Sequence, residues 1–135
     1  MATLDYAFLA DYAKVQPNGT LTSVGASFTF VEAQSLPTTH RMAVAARVRA
    51  RIDEQIIPFR VEITGPGESF RLGVDGQLSP GPDSRPYGEG FVGHLLAMDI
   101  QIPLPSAGLY TVNIELEGKH VRRLAFDVVR ATPQS

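Results

Sequence analysis

Between residues 42 and 52 one parity of the chain is wholly apolar. Met42, Val44, Ala46, Val48, Ala50 and Ile52 alternate with Ala43, Ala45, Arg47, Arg49 and Arg51. Successive side chains of a β-strand point to opposite faces, so a period of two sets the first series against an interior and turns the arginines outward. The same period recurs in Leu4, Tyr6, Phe8, Ala10 and Tyr12, in Val24, Ala26, Phe28 and Phe30, and in Phe59, Val61 and Ile63. It returns in Phe70, Leu72 and Val74, in Leu96 to Leu104, in Tyr110 to Leu116, and in Leu124, Phe126 and Val128. No stretch carries a convincing helical stripe of period 3.6. Strands separated by turn residues, with no helices to cover them, must bury their apolar faces on one another. The expected fold is therefore all-β, a two-sheet antiparallel β-sandwich of seven or eight strands.

The punctuation supports that reading. Pro17-Asn18-Gly19 lies between the first two apolar runs, and Asn-Gly predicts a hairpin whose two central residues both take positive φ. The first strand is apolar on its second face too, through Ala7, Leu9 and Ala13, which predicts an interior strand rather than an edge. Asp53-Glu54-Gln55 predicts a tight turn that pairs the strand ending at Ile52 with the one beginning at Ile57. Residues 79–90 are crowded with Pro and Gly and predict a long exposed loop. Residues 131–135 predict a frayed tail, and 1–135 reads as one domain, which is what 135 residues ordinarily make.

Charge and composition remove several classes of function. A formal net charge of -2 lacks the basic excess that phosphate neutralisation demands, so nucleic acid is not expected. With no cysteine there is no disulfide, no zinc-thiolate site and no thiol nucleophile. Asp5 and Asp11 interrupt what would be the apolar part of an export leader, and no run is long enough to span a membrane, so the expected setting is the cytoplasm.

Gly88-Glu89-Gly90-Phe91-Val92-Gly93 spells the G-x-G-x-x-G of dinucleotide-binding loops. That loop works by delivering a pyrophosphate to a helix N-terminus. Here a Pro- and Gly-rich loop precedes the glycines and a period-two run with Pro103 and Pro105 follows them, so the match reads as a swing into a strand. His40, His94 and His120 are too far apart to announce a metal site, and no serine sits in a nucleophile elbow. Asp11 lies among apolar residues without a partner carboxylate. No cofactor, metal or catalytic residue is assigned.

The arginines ask for more. Pairing Ile52 with Ile57 sets Arg47 opposite Glu62 and Arg49 opposite Arg60, and like charges directly opposed on a sheet destabilise it. A carboxylate must lie nearby, either on a neighbouring strand (Glu115, Glu117 or Asp127) or on an acidic protein partner or anionic ligand docked on Arg47, Arg49, Arg51 and Arg60.

Two resemblances add to this. Gly108-Leu109-Tyr110-Thr111-Val112 resembles the G-x-Y-x-V entry to a late strand of immunoglobulin-like sandwiches, in which the tyrosine hydroxyl closes a corner onto backbone. Leu9-Ala10-Asp11-Tyr12-Ala13, Gly19-Thr20-Leu21, Val24-Gly25-Ala26 and Gly108-Leu109-Tyr110 together resemble a family of uncharacterised single-domain bacterial proteins, which implies an immunoglobulin-like β-sandwich and no assigned activity. The expected function is a non-enzymatic binding or interaction module, recognising a protein partner or itself through a face, a loop or a strand edge. The alternative is a small ligand-binding protein or enzyme with a pocket at one end of the sandwich, gathering His94, Asp99 or Asp11.

Overall fold

A computed structural model describes residues 2–53, 56–79 and 85–131. The chain forms β1 (Thr3–Ala10), β2 (Tyr12–Val15), β3 (Leu21–Val24), β4 (Phe30–Ala33), β5 (Thr38–Arg51) and β6 (Ile57–Thr64). A single 3-10 turn at Pro66–Glu68 follows, then β7 (Arg71–Leu78), β8 (Arg85–Pro86), β9 (Phe91–Leu104), β10 (Gly108–Leu116) and β11 (Lys119–Arg130). The all-β expectation holds. The count does not, because the described residues contain these further strands and three sheets, ordered β1-β5-β9-β8, β4-β11-β10-β6-β7 and β2-β3. Nor is the pairing wholly antiparallel, since β4 runs parallel to β11.

One core joins the two larger sheets. Met42, Val44, Val48, Ile100, Ile102 and Leu104 from the four-stranded sheet meet Ile57, Val61, Ile63, Tyr110, Val112, Ile114 and Phe126 from the five-stranded one. These are the apolar parities of β5, β9, β6, β10 and β11, as their alternation requires. At about 25 cal/mol per Å² of apolar surface removed from water, this shared interior is the main source of stability. The β2-β3 hairpin lies elsewhere. It covers part of the outer face of the four-stranded sheet, where Ala13 packs on Ala43 and Ala45 with Phe8, Leu21 and Ala97 around them. Small side chains on that half of β5 let a second layer approach closely.

Several local expectations are corrected, each for a definable reason. β1 does not keep one parity inward, because its register on β5 slips between Leu4–Val48 and Tyr6–Arg47, leaving Asp5 as an extra residue. That bulge moves Ala7 and Leu9 into the core and turns Tyr6 and Phe8 outward. β1 is also the terminal strand of its sheet rather than an interior one. The expected second strand splits into β3 and β4, since Gly25 at φ 63 and Ser27 at φ 66 adopt left-handed backbone that no strand accommodates. Phe28 alone of the predicted face packs on the core, while Val24 and Phe30 are each 57% exposed.

The Asn18-Gly19 hairpin forms, joining β2 to β3, but only Gly19 takes positive φ. Pro17 holds a type I turn that the Gly19 N–H closes onto the Gln16 carbonyl at 3.0 Å. Positive φ at both central residues occurs instead at Glu117 and Gly118, between β10 and β11. The predicted β5–β6 hairpin is absent: the two strands belong to different sheets, so the chain crosses the core between them. The 79–90 loop is shorter than expected at its end, because Arg85 and Pro86 pair with Gly93 and Val92; residues 80–84 lie outside the described residues. Ala131 is not frayed, since its N–H donates to the Ala33 carbonyl at 2.8 Å, and 132–135 lie outside the described residues.

Candidate functional site

The outer face of β5 changes character halfway along. Ala43 and Ala45 lie under the β2-β3 hairpin, and the residues that continue the same parity, Arg47, Arg49 and Arg51, run out beyond it. An open groove of about 740 Å³ lies there. Tyr6 and Phe8 of β1, Arg47 of β5 and Gly93 and Leu95 of β9 form its floor; Gly19, Thr20 and Leu21 of the hairpin and Arg85 to Tyr87 at β8 form its walls. Arg85 ties the two walls together, donating from Nε to the Asn18 carbonyl at 3.3 Å and from Nη2 to the Pro17 carbonyl at 3.2 Å.

Arginines and aromatic rings interleave across this face. The guanidinium carbon of Arg47 is 5.0 Å from the Tyr6 ring centroid and 4.7 Å from that of Tyr87. The guanidinium carbon of Arg49 is 5.2 Å from the Tyr87 centroid and 4.1 Å from that of Phe91. Each contact of this kind contributes about 0.5 to 1 kcal/mol at exposed sites and more when water is excluded. The glycine motif produces the arrangement. Gly88 at φ 79 and Gly90 at φ 76 fold a turn in which the Tyr87 N–H donates to the Phe91 carbonyl at 3.0 Å, bringing the two rings that share Arg49 side by side. Gly93 completes it, because a Cβ there would touch Tyr87 at 3.5 Å and the Arg47 stem at 3.8 Å.

The charges balance differently from the sequence expectation. Arg47 donates from Nε to Asp5 Oδ2 at 2.9 Å and from Nη2 to the Tyr87 hydroxyl at 3.1 Å. The bulge that displaces Asp5 is what aims its carboxylate at Arg47. Burial lowers the Arg47 pKa, but its hydrogen bond to Asp5 and the nearby acidic groups of Tyr87 and Asp5 outweigh it, and the net direction is upward. Arg51 lies 3.3 Å from Asp53, with both side chains well exposed. Such a pair contributes little. Arg60 does not belong to the face at all. It sits on β6 in the other sheet, with Asp75 at 2.9 Å and Glu62 at 3.3 Å, and these hydrogen bonds raise its pKa. The predicted Arg49–Arg60 opposition therefore does not occur. Glu115 does face Arg60 across β10 and β6; Glu117 lies in the β10–β11 turn and accepts from the Ala2 N–H at 2.8 Å, and Asp127 is on β11 of the other sheet.

Arg49 stands apart. Among the described residues it has no carboxylate partner, and its Nε is shielded from solvent without an acceptor. Sequence reasoning found the three arginines of this face but missed Tyr6, Tyr87, Phe91 and Leu95. The two aromatics flanking Gly88-Glu89-Gly90 were the available clue. Nothing local pointed to Asp5, 42 positions from its partner.

The residues that the pocket alternative would gather do not meet. His94 is 5% exposed on the inward face of β9, Asp99 points outward from the same strand, and Asp11 is exposed at the bend after β1. His120 lies 3.1 Å from the Asn113 side-chain oxygen on the other sheet. His40 is half-buried beside Phe28, and burial lowers its pKa while the charge of Asp11 opposes that shift. Among the described residues no three His, Asp or Glu side chains are grouped to hold a metal ion. No helix among them is long and apolar enough to cross a membrane.

Comparison with curated proteins returns no match. Residues 5–129 match DUF6941, a family of unknown function, and the chain belongs to that family.

Proposed function

We propose that this chain is a non-enzymatic interaction module built on an immunoglobulin-like sandwich, which docks a protein partner in the groove on the outer face of the β1-β5-β9-β8 sheet. The strand orders of the two larger sheets, the parallel β4–β11 ladder and the Tyr110 hydroxyl donating to the Ser106 carbonyl at 2.7 Å support the immunoglobulin-like assignment. One observation carries the docking reading: a groove of about 740 Å³ whose floor mixes Tyr, Phe and Leu side chains with Arg47, already stacked on two rings. Aromatic and arginine side chains anchor interfaces because they offer large contact areas and fixed donors at low entropic cost.

The test is affinity capture from a lysate of the native host with three immobilised proteins. These are the wild type, Leu95→Trp, which fills the groove floor with an apolar side chain, and Arg123→Ala, an exposed change on the other sheet. A partner retained by the wild type and Arg123→Ala but lost by Leu95→Trp is the expected outcome. Retention by Leu95→Trp, with the variant folded by circular dichroism, would refute the docking site.

A further inference from the structure

We propose that Arg49 receives a carboxylate of the docked partner, so that the segment entering the groove is an acidic residue flanked by apolar ones. The inference rests on the groove being a docking site.

Arg49 has already committed the faces of its guanidinium to aromatic rings. Phe91 and Tyr87 lie against its guanidinium at 4.1 and 5.2 Å. Rings stacked on a guanidinium occupy its faces and leave the N–H edge as the remaining hydrogen-bonding surface. Nε is covered and has no acceptor, so the terminal Nη groups are the part of that edge a ligand can reach, and among the described residues Arg49 makes no hydrogen bond or ion pair. The other three arginines that the sequence singled out each have a carboxylate, Arg47 from Asp5, Arg51 from Asp53, and Arg60 from Asp75 and Glu62. A half-buried, donor-rich cation without a counter-charge gains more from an incoming anion than a paired one does.

The approach is open on one side. Gly88 presents no side chain toward Arg49, and even a Cβ there would stop 3.9 Å from Nη2. The ligand's charge follows from the local balance. Arg47 is paired with Asp5, whereas Arg49 carries a charge that no carboxylate among the described residues compensates, and a monoanionic carboxylate neutralises it. A phosphate dianion would leave excess negative charge against ring faces that are themselves electronegative. A planar carboxylate also fits the guanidinium fork through two parallel hydrogen bonds. Arg49 stands at the end of the groove, against Tyr87 of its wall; Phe8 and Leu95 on the floor supply apolar contacts on one side of it and Phe91 on the other.

The experiment titrates isotope-labelled full-length protein and follows the arginine Nε–H resonances. The probes are the blocked peptide acetyl-Leu-Leu-Glu-Leu-Leu-amide, its glutamine counterpart, and inorganic phosphate. The expected result is a shift of the Arg49 Nε–H with the acidic peptide alone, and a preference over the glutamine peptide of about tenfold or more. Arg49→Gln and Arg49→Lys should both lose that preference, because lysine keeps the charge but not the fork. Equal binding of the two peptides, equal competition by phosphate, or a preference that survives in Arg49→Lys overturns the proposal. These results would leave the docking site intact wherever Leu95→Trp still loses the captured partner. A carboxylate preference abolished by Arg49→Lys but untouched by Leu95→Trp would support Arg49 as the anion residue and overturn the groove.

Discussion

Replacing Tyr110 by Phe removes one hydroxyl group and leaves the ring in place. The ring is fully buried, stacked on Phe126 with centroids 5.3 Å apart and tilted against Phe70 at 5.9 Å. Those contacts survive the change. What is lost is the hydrogen bond from the hydroxyl to the Ser106 carbonyl at 2.7 Å. Ser106 is exposed, so its carbonyl regains water, and the cost is the net value of one hydrogen bond, about 1 kcal/mol. For a domain of this size that lowers Tm by about 4 °C. Tyr110→Ala strips the ring as well and should cost about 3 to 5 kcal/mol. A pH arm separates the hydroxyl from the ring. Burial raises the Tyr110 pKa, and the hydroxyl's donation to the Ser106 carbonyl, which ionisation would abolish, favours the neutral form as well. A folded pKa above the unfolded value means that the contribution is fully present below about pH 10 and is lost as pH rises through the folded pKa. Denaturant midpoints of the wild type should therefore fall more steeply above pH 10 than those of Tyr110→Phe. If Tyr110→Phe lies within about 0.3 kcal/mol of the wild type at neutral pH and the two alkaline limbs superimpose, the hydroxyl does not tie the corner.

Two further expectations follow from the packing. Phe28 is half-buried, edge-on to Phe126 at 5.6 Å, so Phe28→Ala should cost about 2 kcal/mol, roughly half of what a fully buried Phe gives; a denaturant midpoint shift worth under about 0.5 kcal/mol would mean the ring does not cover the core. His40 has a depressed pKa, through burial that the charge of Asp11 only partly offsets, and its Nε2 is shielded without an acceptor. Its contribution is present above about pH 6.5 and is lost as pH falls through the folded pKa. His40→Phe should flatten the acid limb of stability between about pH 7 and 5, and superimposable limbs would count against this account.

How far the fold was legible depended on which residues carried the information. For β5, β9, β10 and β11 the alternation named the inward residues correctly, because burial of one parity is a property of the strand alone; the exception is Ile52, which lies past the end of β5 and is 64% exposed. Alternation does not say which strand lies alongside. Ile52 and Ile57 looked like hairpin partners, yet β5 pairs with β1 and β9 while β6 pairs with β7 and β10, since a chain crossing from one sheet to the other keeps the same pattern as one turning within a sheet. Asn18-Gly19 and Glu117-Gly118 make the same point at turn level. The first carried the stronger local signal, but Pro17 changed its geometry, and the pair of positive φ values went to the second. At the candidate site, Arg47 and Arg49 were legible as outward charges, whereas their aromatic neighbours were not.

The amino-acid order alone determined that the chain is built of strands, which side chains of most of them face inward, and that Arg47, Arg49 and Arg51 share an outward face. These follow from the two-residue repeat of extended backbone, which is local. Only the tertiary structure decided that Asp5 neutralises Arg47, that Arg60 lies on the other sheet, and that Tyr87 and Phe91 close on Arg49. Each of these depends on a bulge, a crossover or a turn that joins segments distant in sequence. The Arg49 guanidinium, set among aromatic rings with no carboxylate partner among the described residues, is a product of that assembly.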